Sequence, residues 1–242
     1  MPWSAAASAT PTLTTRQALP QGRDRCRHHQ NRLSAGRSAS RDHLYLRCQR
    51  GQQLCFKGAG PSLPPCGRHI ISTPLEHSSV SGTLTALQEQ GYEIDLLDVK
   101  QDGTVDLEHL KDLLRPDTIC VAITLVDSEL GVVQPVQEIA AILKAYPHCH
   151  LHVDATQAVG KIPVSFEGVD TMSLTAHKFY GLNGIGLVVK RRNLALEPLI
   201  HGGESTTIYR SGTPTVALAS SLARALDLAI IDLPTALTMW PS

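Results

Sequence analysis

From residue 69 onward, short apolar runs alternate with stretches whose apolar residues return every three or four positions. The runs at residues 69–73, 92–99, 118–126, 150–155, 172–174 and 185–190 predict strands, and the stretches at residues 79–90, 106–114 and 135–146 predict helices. Local chemistry sets their ends. Gly91 stops the first helix, Asp102-Gly103 makes a turn, and Pro135, with its fixed φ, opens the third helix. Strands alternating with helices imply an α/β fold: a mostly parallel sheet flanked by helices, with ligands bound beyond the carboxyl ends of the strands. Asp154 falls at such an end.

Residues 1–67 break the pattern. Arg, Gln, Ser, Pro, His and Cys dominate, acids are scarce and no apolar period persists, so this segment is not expected to build a core by itself. An Arg- and Ser-rich, acid-poor start also suits a mitochondrial-type presequence, although no clear amphipathic Arg-Leu helix accompanies it.

Composition narrows the function classes. Across 242 residues, 22 basic side chains balance 22 acidic ones, which gives neither nucleic acid nor a membrane surface an electrostatic reason to bind. No apolar run approaches the roughly 20 residues of a membrane-spanning helix, so a soluble, cytoplasmic protein is expected. Cys26, Cys48, Cys55, Cys66, Cys120 and Cys149 form no C-x-x-C pair, in keeping with a reducing compartment. Cys26, His28, His29 and Cys48 match no usual zinc-finger spacing, and no metal is expected.

The candidate chemistry centres on Lys178, which closes Ser173-Leu174-Thr175-Ala176-His177-Lys178 and lies downstream of His152-Val153-Asp154-Ala155-Thr156-Gln157. An amine condenses with the aldehyde of pyridoxal 5'-phosphate (PLP), and a carboxylate facing the pyridine nitrogen keeps that nitrogen protonated, so that the ring accepts electrons. Lys178 and Asp154 suit those roles. Thr175 and His177 offer the donors that a phosphate needs. Taken singly, Lys178 also fits a solvated loop lysine and Asp154 a strand-end cap; the joint pattern points to the cofactor.

Residues 68–229 resemble the cysteine desulfurases, PLP enzymes of the class V aminotransferase group. The resemblance rests on Glu76-His77, Val126-Asp127-Ser128-Glu129-Leu130-Gly131, the His152 to Lys161 and Ser173 to Gly181 motifs, His201-Gly202-Gly203 and Arg210-Ser211-Gly212-Thr213. It implies a PLP-transferase-type large domain in which Lys178 carries the cofactor, His77 stacks on the pyridine ring and takes part in catalysis, and Asp154 pairs with the ring nitrogen. It further implies that Gln157 contacts the phenolic oxygen, that Thr175 and His177 hold the phosphate, and that Thr213 reaches the phosphate of a partner in a homodimer. Ser128 stands where the family commonly has Asn, which leaves substrate orientation open between a polar substitute and an ordinary turn. Ser205-Thr206-Thr207 likewise replaces a more usual Gly- and Gln-containing stretch.

The implied activity is conversion of L-cysteine to L-alanine, with sulfur passed to an enzyme cysteine and onward to an acceptor protein for iron-sulfur cluster assembly, and it is expected to be impaired in this chain. A selenocysteine lyase, another class V aminotransferase or lyase, and a catalytically inactive fragment remain as alternatives. Three parts of the family pattern have no counterpart: a Ser-Gly-Ala-Thr-Glu-type phosphate loop near the N-terminus, and a cysteine and a substrate-binding arginine near the C-terminus. Residues 230–242 therefore read as an aberrant tail and the small C-terminal domain as largely missing. Cys120 and Cys149 read as buried core thiols. Codons for residues 41–57 read from their second base can encode Glu-Ile-Ile-Phe-Thr-Ser-Gly-Ala-Ser-Glu-Gly-Asn-Asn-Phe-Ala-Leu-Lys, close to the family's phosphate loop. Residues 1–67 are thus expected to be partly frameshifted.

Overall fold

The computed structural model describes residues 41–46, 53, 55–56, 67–192, 194, 196, 198, 200–202, 209, 211–213 and 215–239. Its strands are β1 (Arg41–Leu46), β2 (His69–Ser72), β3 (Glu93–Leu96), β4 (Thr118–Thr124), β5 (His150–Asp154), β6 (Thr171–Thr175) and β7 (Gly186–Arg191). Helices α1 (Ser78–Gln88), α2 (Leu107–Leu113) and α3 (Val136–Leu143) sit between strands, a 3-10 turn (Ala176–Phe179) follows β6, and α4 (Val216–Met239) comes last. One seven-stranded sheet in the order β1-β7-β6-β5-β4-β2-β3 joins them. β2 to β6 run parallel, and β7 runs antiparallel to both β6 and β1.

Every residue of β4, β5 and β6 is buried, as expected of central strands covered on both faces. Alternation then divides the side chains between two cores. Val121, Ile123, Leu151 and Val153 pack with Ile139 of α3 on one face, while Ile70, Cys120 and Ala122 meet Phe56 and Val80, Leu84 and Leu87 of α1 on the other. Each Val, Leu, Ile or Phe among them contributes about 1.5–3 kcal/mol by leaving water.

Two elements lie outside the sequence expectation. β1 falls within residues 1–67, a segment that cannot form a core alone; it adds to an existing sheet by pairing with β7, from Arg41 opposite Arg191 to Leu46 opposite Gly186. The second, α4, continues without a break across residues 229 and 230. Its Ala- and Leu-rich sequence has strong helical propensity, and Leu222 and Leu226 join the larger core.

The connectivity brings β2, β4, β5 and β6 to the same end of the sheet. There Thr73, Thr124, Asp154 and Thr175 mark the strand ends, with β4 and β5 in register at Thr124 opposite Asp154.

Candidate active site

A cavity of about 510 Å³ opens at that end of the sheet. His77, Ser128, Asp154, Gln157, Thr175, His177 and Lys178 all line it, so seven of the eight candidate residues converge although they span about a hundred positions of sequence. Thr213 is not among the lining residues. Arg210, Gly203 and Ser205 to Thr207, which the sequence reading also singled out, lie outside the described residues.

Asp154 ends β5 and is 4% exposed. Its Oδ1 accepts the Thr156 N–H at 3.0 Å. Burial holds its carboxyl above the usual carboxylate range, opposed by the bonds from Thr156 and by the nearby His77 imidazole. Such a carboxylate gains from a cationic hydrogen-bond donor in the cavity, which is what a protonated pyridine nitrogen provides.

Lys178 lies in the 3-10 turn that leaves β6. Among the described residues its amine makes no hydrogen bond or ion pair, so it is uncommitted and exposed at the cavity wall. The turn ends at Tyr180, which has φ +63°, a left-handed conformation that a residue bearing a side chain adopts at a cost. Gly181 follows, and its N–H closes the turn on the Ala176 carbonyl at 2.9 Å. A Cβ on Gly181 would stand 2.8 Å from Ala176 Cβ and 3.0 Å from Ala225 Cβ, so glycine lets α4 pack against the lysine turn.

Gln157 presents a fixed face. Its Oε1 accepts from Lys161 Nζ at 2.7 Å, and because an ammonium only donates, the amide nitrogen is left to donate elsewhere. That orientation suits a phenolic oxygen. Burial, and then the charge of Lys178, lower the Lys161 pKa. Thr175 Oγ1 lies 3.1 Å from His177 Nδ1 and donates to the Ile185 carbonyl at 3.2 Å. Holding a phosphate oxygen therefore means turning that single proton out of its present bond.

His77 lines the cavity and also caps α1, its Nδ1 accepting the Ser79 N–H at 3.1 Å. The capping role adds to the ring-stacking and catalytic roles expected of it from the sequence. Ser128 reaches the cavity, its hydroxyl 3.3 Å from Glu129 Oε1. Asp127 is buried and spends its carboxylate on the Glu129 and Leu130 N–H groups, so it builds the turn that carries Ser128.

Sequence reasoning gave Glu76 and Lys161 no role although both lie in quoted motifs. The available signal was a single acid and a single base in turns that carry no other Asp, Glu, Lys or Arg. Cys55, Cys120 and Cys149 are all buried and form no disulfide; burial raises the Cys120 pKa and pushes Cys149 up to about 12. They are unreactive in that state.

Residues 49–236 match the family described as aminotransferase class-V. The chain belongs to that family. Among curated class V relatives, it is similar to cysteine desulfurase IscS of Dictyoglomus turgidum (40% identical over 182 residues, 74% of this chain and 46% of the relative). It is also similar to the mitochondrial cysteine desulfurase of Arabidopsis thaliana (44% over 184 residues, 74% and 40%). The chain thus spans less than half the length of these relatives. Among solved class V structures, a NifS-like protein superposes with a TM-score of 0.85 at 30% identity, covering 96% of this chain and 63% of that one. A second, SspA in complex with cysteine, gives 0.79 at 29% identity, covering 91% and 63%. The PLP-transferase-type α/β fold expected from the sequence is therefore the fold observed. Among the described residues, no helix is long and apolar enough to cross a membrane.

Proposed function

We propose that this chain holds pyridoxal 5'-phosphate and acts in cysteine desulfuration. The observation that carries the reading is the convergence of an uncommitted amine, Lys178, and a buried carboxylate, Asp154, in one cavity whose other walls offer an imidazole, an amide N–H₂ and hydroxyls. Similarity to cysteine desulfurases, and to SspA in complex with cysteine, supports the substrate class.

The cofactor, when bound, supplies a ring that withdraws electrons from the substrate α-carbon. Lys178 binds it covalently and moves the proton at the substrate α-carbon. Asp154 keeps the ring nitrogen protonated, Gln157 donates to the phenolic oxygen, His77 sets the tilt of the ring, and Thr175 and His177 donate to the phosphate. Ser128 orients the substrate. Thr213, away from its own chain's cavity, serves the phosphate of a second copy in a homodimer. The described thiols are buried, so none of them serves as the sulfur acceptor.

Alanine release from cysteine after PLP is added tests the reading. Wild type is expected to release alanine, and Lys178→Ala to lose roughly 10²–10⁴-fold in rate. Equal rates in the two proteins would falsify the role of Lys178.

A further inference from the structure

Glu76 precedes His77 in the turn between β2 and α1, and it is not among the residues that line the cavity. Part of the side chain remains exposed, but its carboxyl is enclosed. Oε1 accepts the Thr124 N–H at 2.6 Å and the Thr73 hydroxyl at 3.0 Å, while Thr73 Oγ1 also accepts the Leu75 N–H at 3.2 Å. One oxygen therefore joins the end of β2, the His77 turn and the end of β4. Thr124 is the register partner of Asp154, so this joint fixes the His77 turn relative to the carboxylate at the floor of the cavity.

We propose that Glu76 is a positioning residue: its hydrogen-bonded carboxyl bolts the turn carrying His77 to the end of β4, leaving Asp154 to serve as the carboxylate of the site. The consequence for the cofactor rests on the PLP reading above. Thr73 and Thr124 face the carboxyl with hydrogen bonds, whereas Asp154 of β5 and Asp127 of the loop after β4 face it with like charge. Burial is the largest influence, and together with those two acids it pushes Glu76 up to about 8 from an ordinary 4.5 despite the two bonds. A neutral Glu76 places no second negative charge beside Asp154.

Two measurements on the full chain test this. The first follows the melting temperature of the PLP-free protein from pH 5 to 9. A proton held in the folded state but released in the unfolded state stabilises fully below pH 4.5, and that stability is lost as pH rises through about 8. Glu76→Gln keeps an oxygen for both donors and cannot ionise, so its melting temperature should gain on wild type steadily across this window. Parallel curves would overturn the neutral acid.

The second follows visible circular dichroism of added PLP, which reports ring tilt. Glu76→Gln should bind PLP within about twofold of wild type, whereas Glu76→Ala, leaving the Thr124 N–H unpaired, should weaken binding about tenfold and alter the dichroic band. If Glu76→Ala does not fold, Thr73→Val removes one of the two donors and should shift the signal in the same direction by less. Wild-type binding and dichroism in Glu76→Ala, or in Thr73→Val if it is needed, would overturn the positioning role. Absence of PLP binding by wild type would instead sink the functional reading, and the melting comparison would still judge whether Glu76 holds its proton.

Discussion

Lys161 decides which end of the Gln157 amide faces the cavity. Replacing it by Met removes the donor at 2.7 Å and frees the amide to flip, so PLP affinity should fall several-fold, measured by absorbance titration. Lys161→Arg, which still donates to the amide oxygen, should restore most of it. At Asp154, replacement by Asn removes the charge that stabilises a protonated ring nitrogen. Alanine release should then fall by about 10²-fold or more, on the scale of a lost electrostatic contact in an active site. At this scale the sequence was informative about residue types: His77, Ser128, Asp154, Gln157, Thr175, His177 and Lys178 were named from motifs and do share one cavity. The supporting bonds were not legible. Glu76 reaches Thr124 across 48 positions, and no periodicity of a single segment encodes such a pair.

At the scale of elements, the strands and first three helices were legible because each carries its own period and its own stop: the Asp106 cap of α2, Pro135 before α3, and Gly91 at φ +85° after α1. β1 was not, because an edge strand with charged residues has no apolar period of its own and is selected by pairing with β7. The turn bearing Lys178 depends on α4 in turn. Gly181→Val places a branched side chain within 3.0 Å of Ala225 and Ala176, which should cost about 1–3 kcal/mol by overpacking. Denaturant unfolding should show that loss, and weakened PLP binding should accompany it because the Lys178 turn moves. A Val variant as stable as wild type would show that α4 does not press on this turn.

For the whole molecule, opposing titrations bound the stability. His152, fully buried on β5, is pushed down to about 3 by burial and then by His150, so the folded state resists its protonation. That contribution is present above the ordinary 6.5 and is lost as pH falls towards 3, whereas the Glu76 contribution is lost as pH rises towards 8. The melting temperature should therefore decline on both sides of a maximum in the weakly acidic range, and His152→Gln should flatten the acid limb.

The reading-frame expectation also belongs to this scale. β1 ends at Leu46 level with Gly186, which itself pairs with Thr175 at the cavity end of the sheet, and helical residues resume at Gln53. Sequencing the gene should reveal a single-base shift that turns codons 41–57 into the phosphate-loop sequence; a genomic sequence with no such frame contradicts the expectation.

The central claim, a PLP site anchored on Lys178, is tested most directly by borohydride reduction of the protein with PLP, followed by peptide mass spectrometry. The reduced cofactor should be found on the peptide containing Lys178 and should be absent from that position in Lys178→Ala. Labelling spread over other lysines, or no label at Lys178 in wild type, would contradict the account.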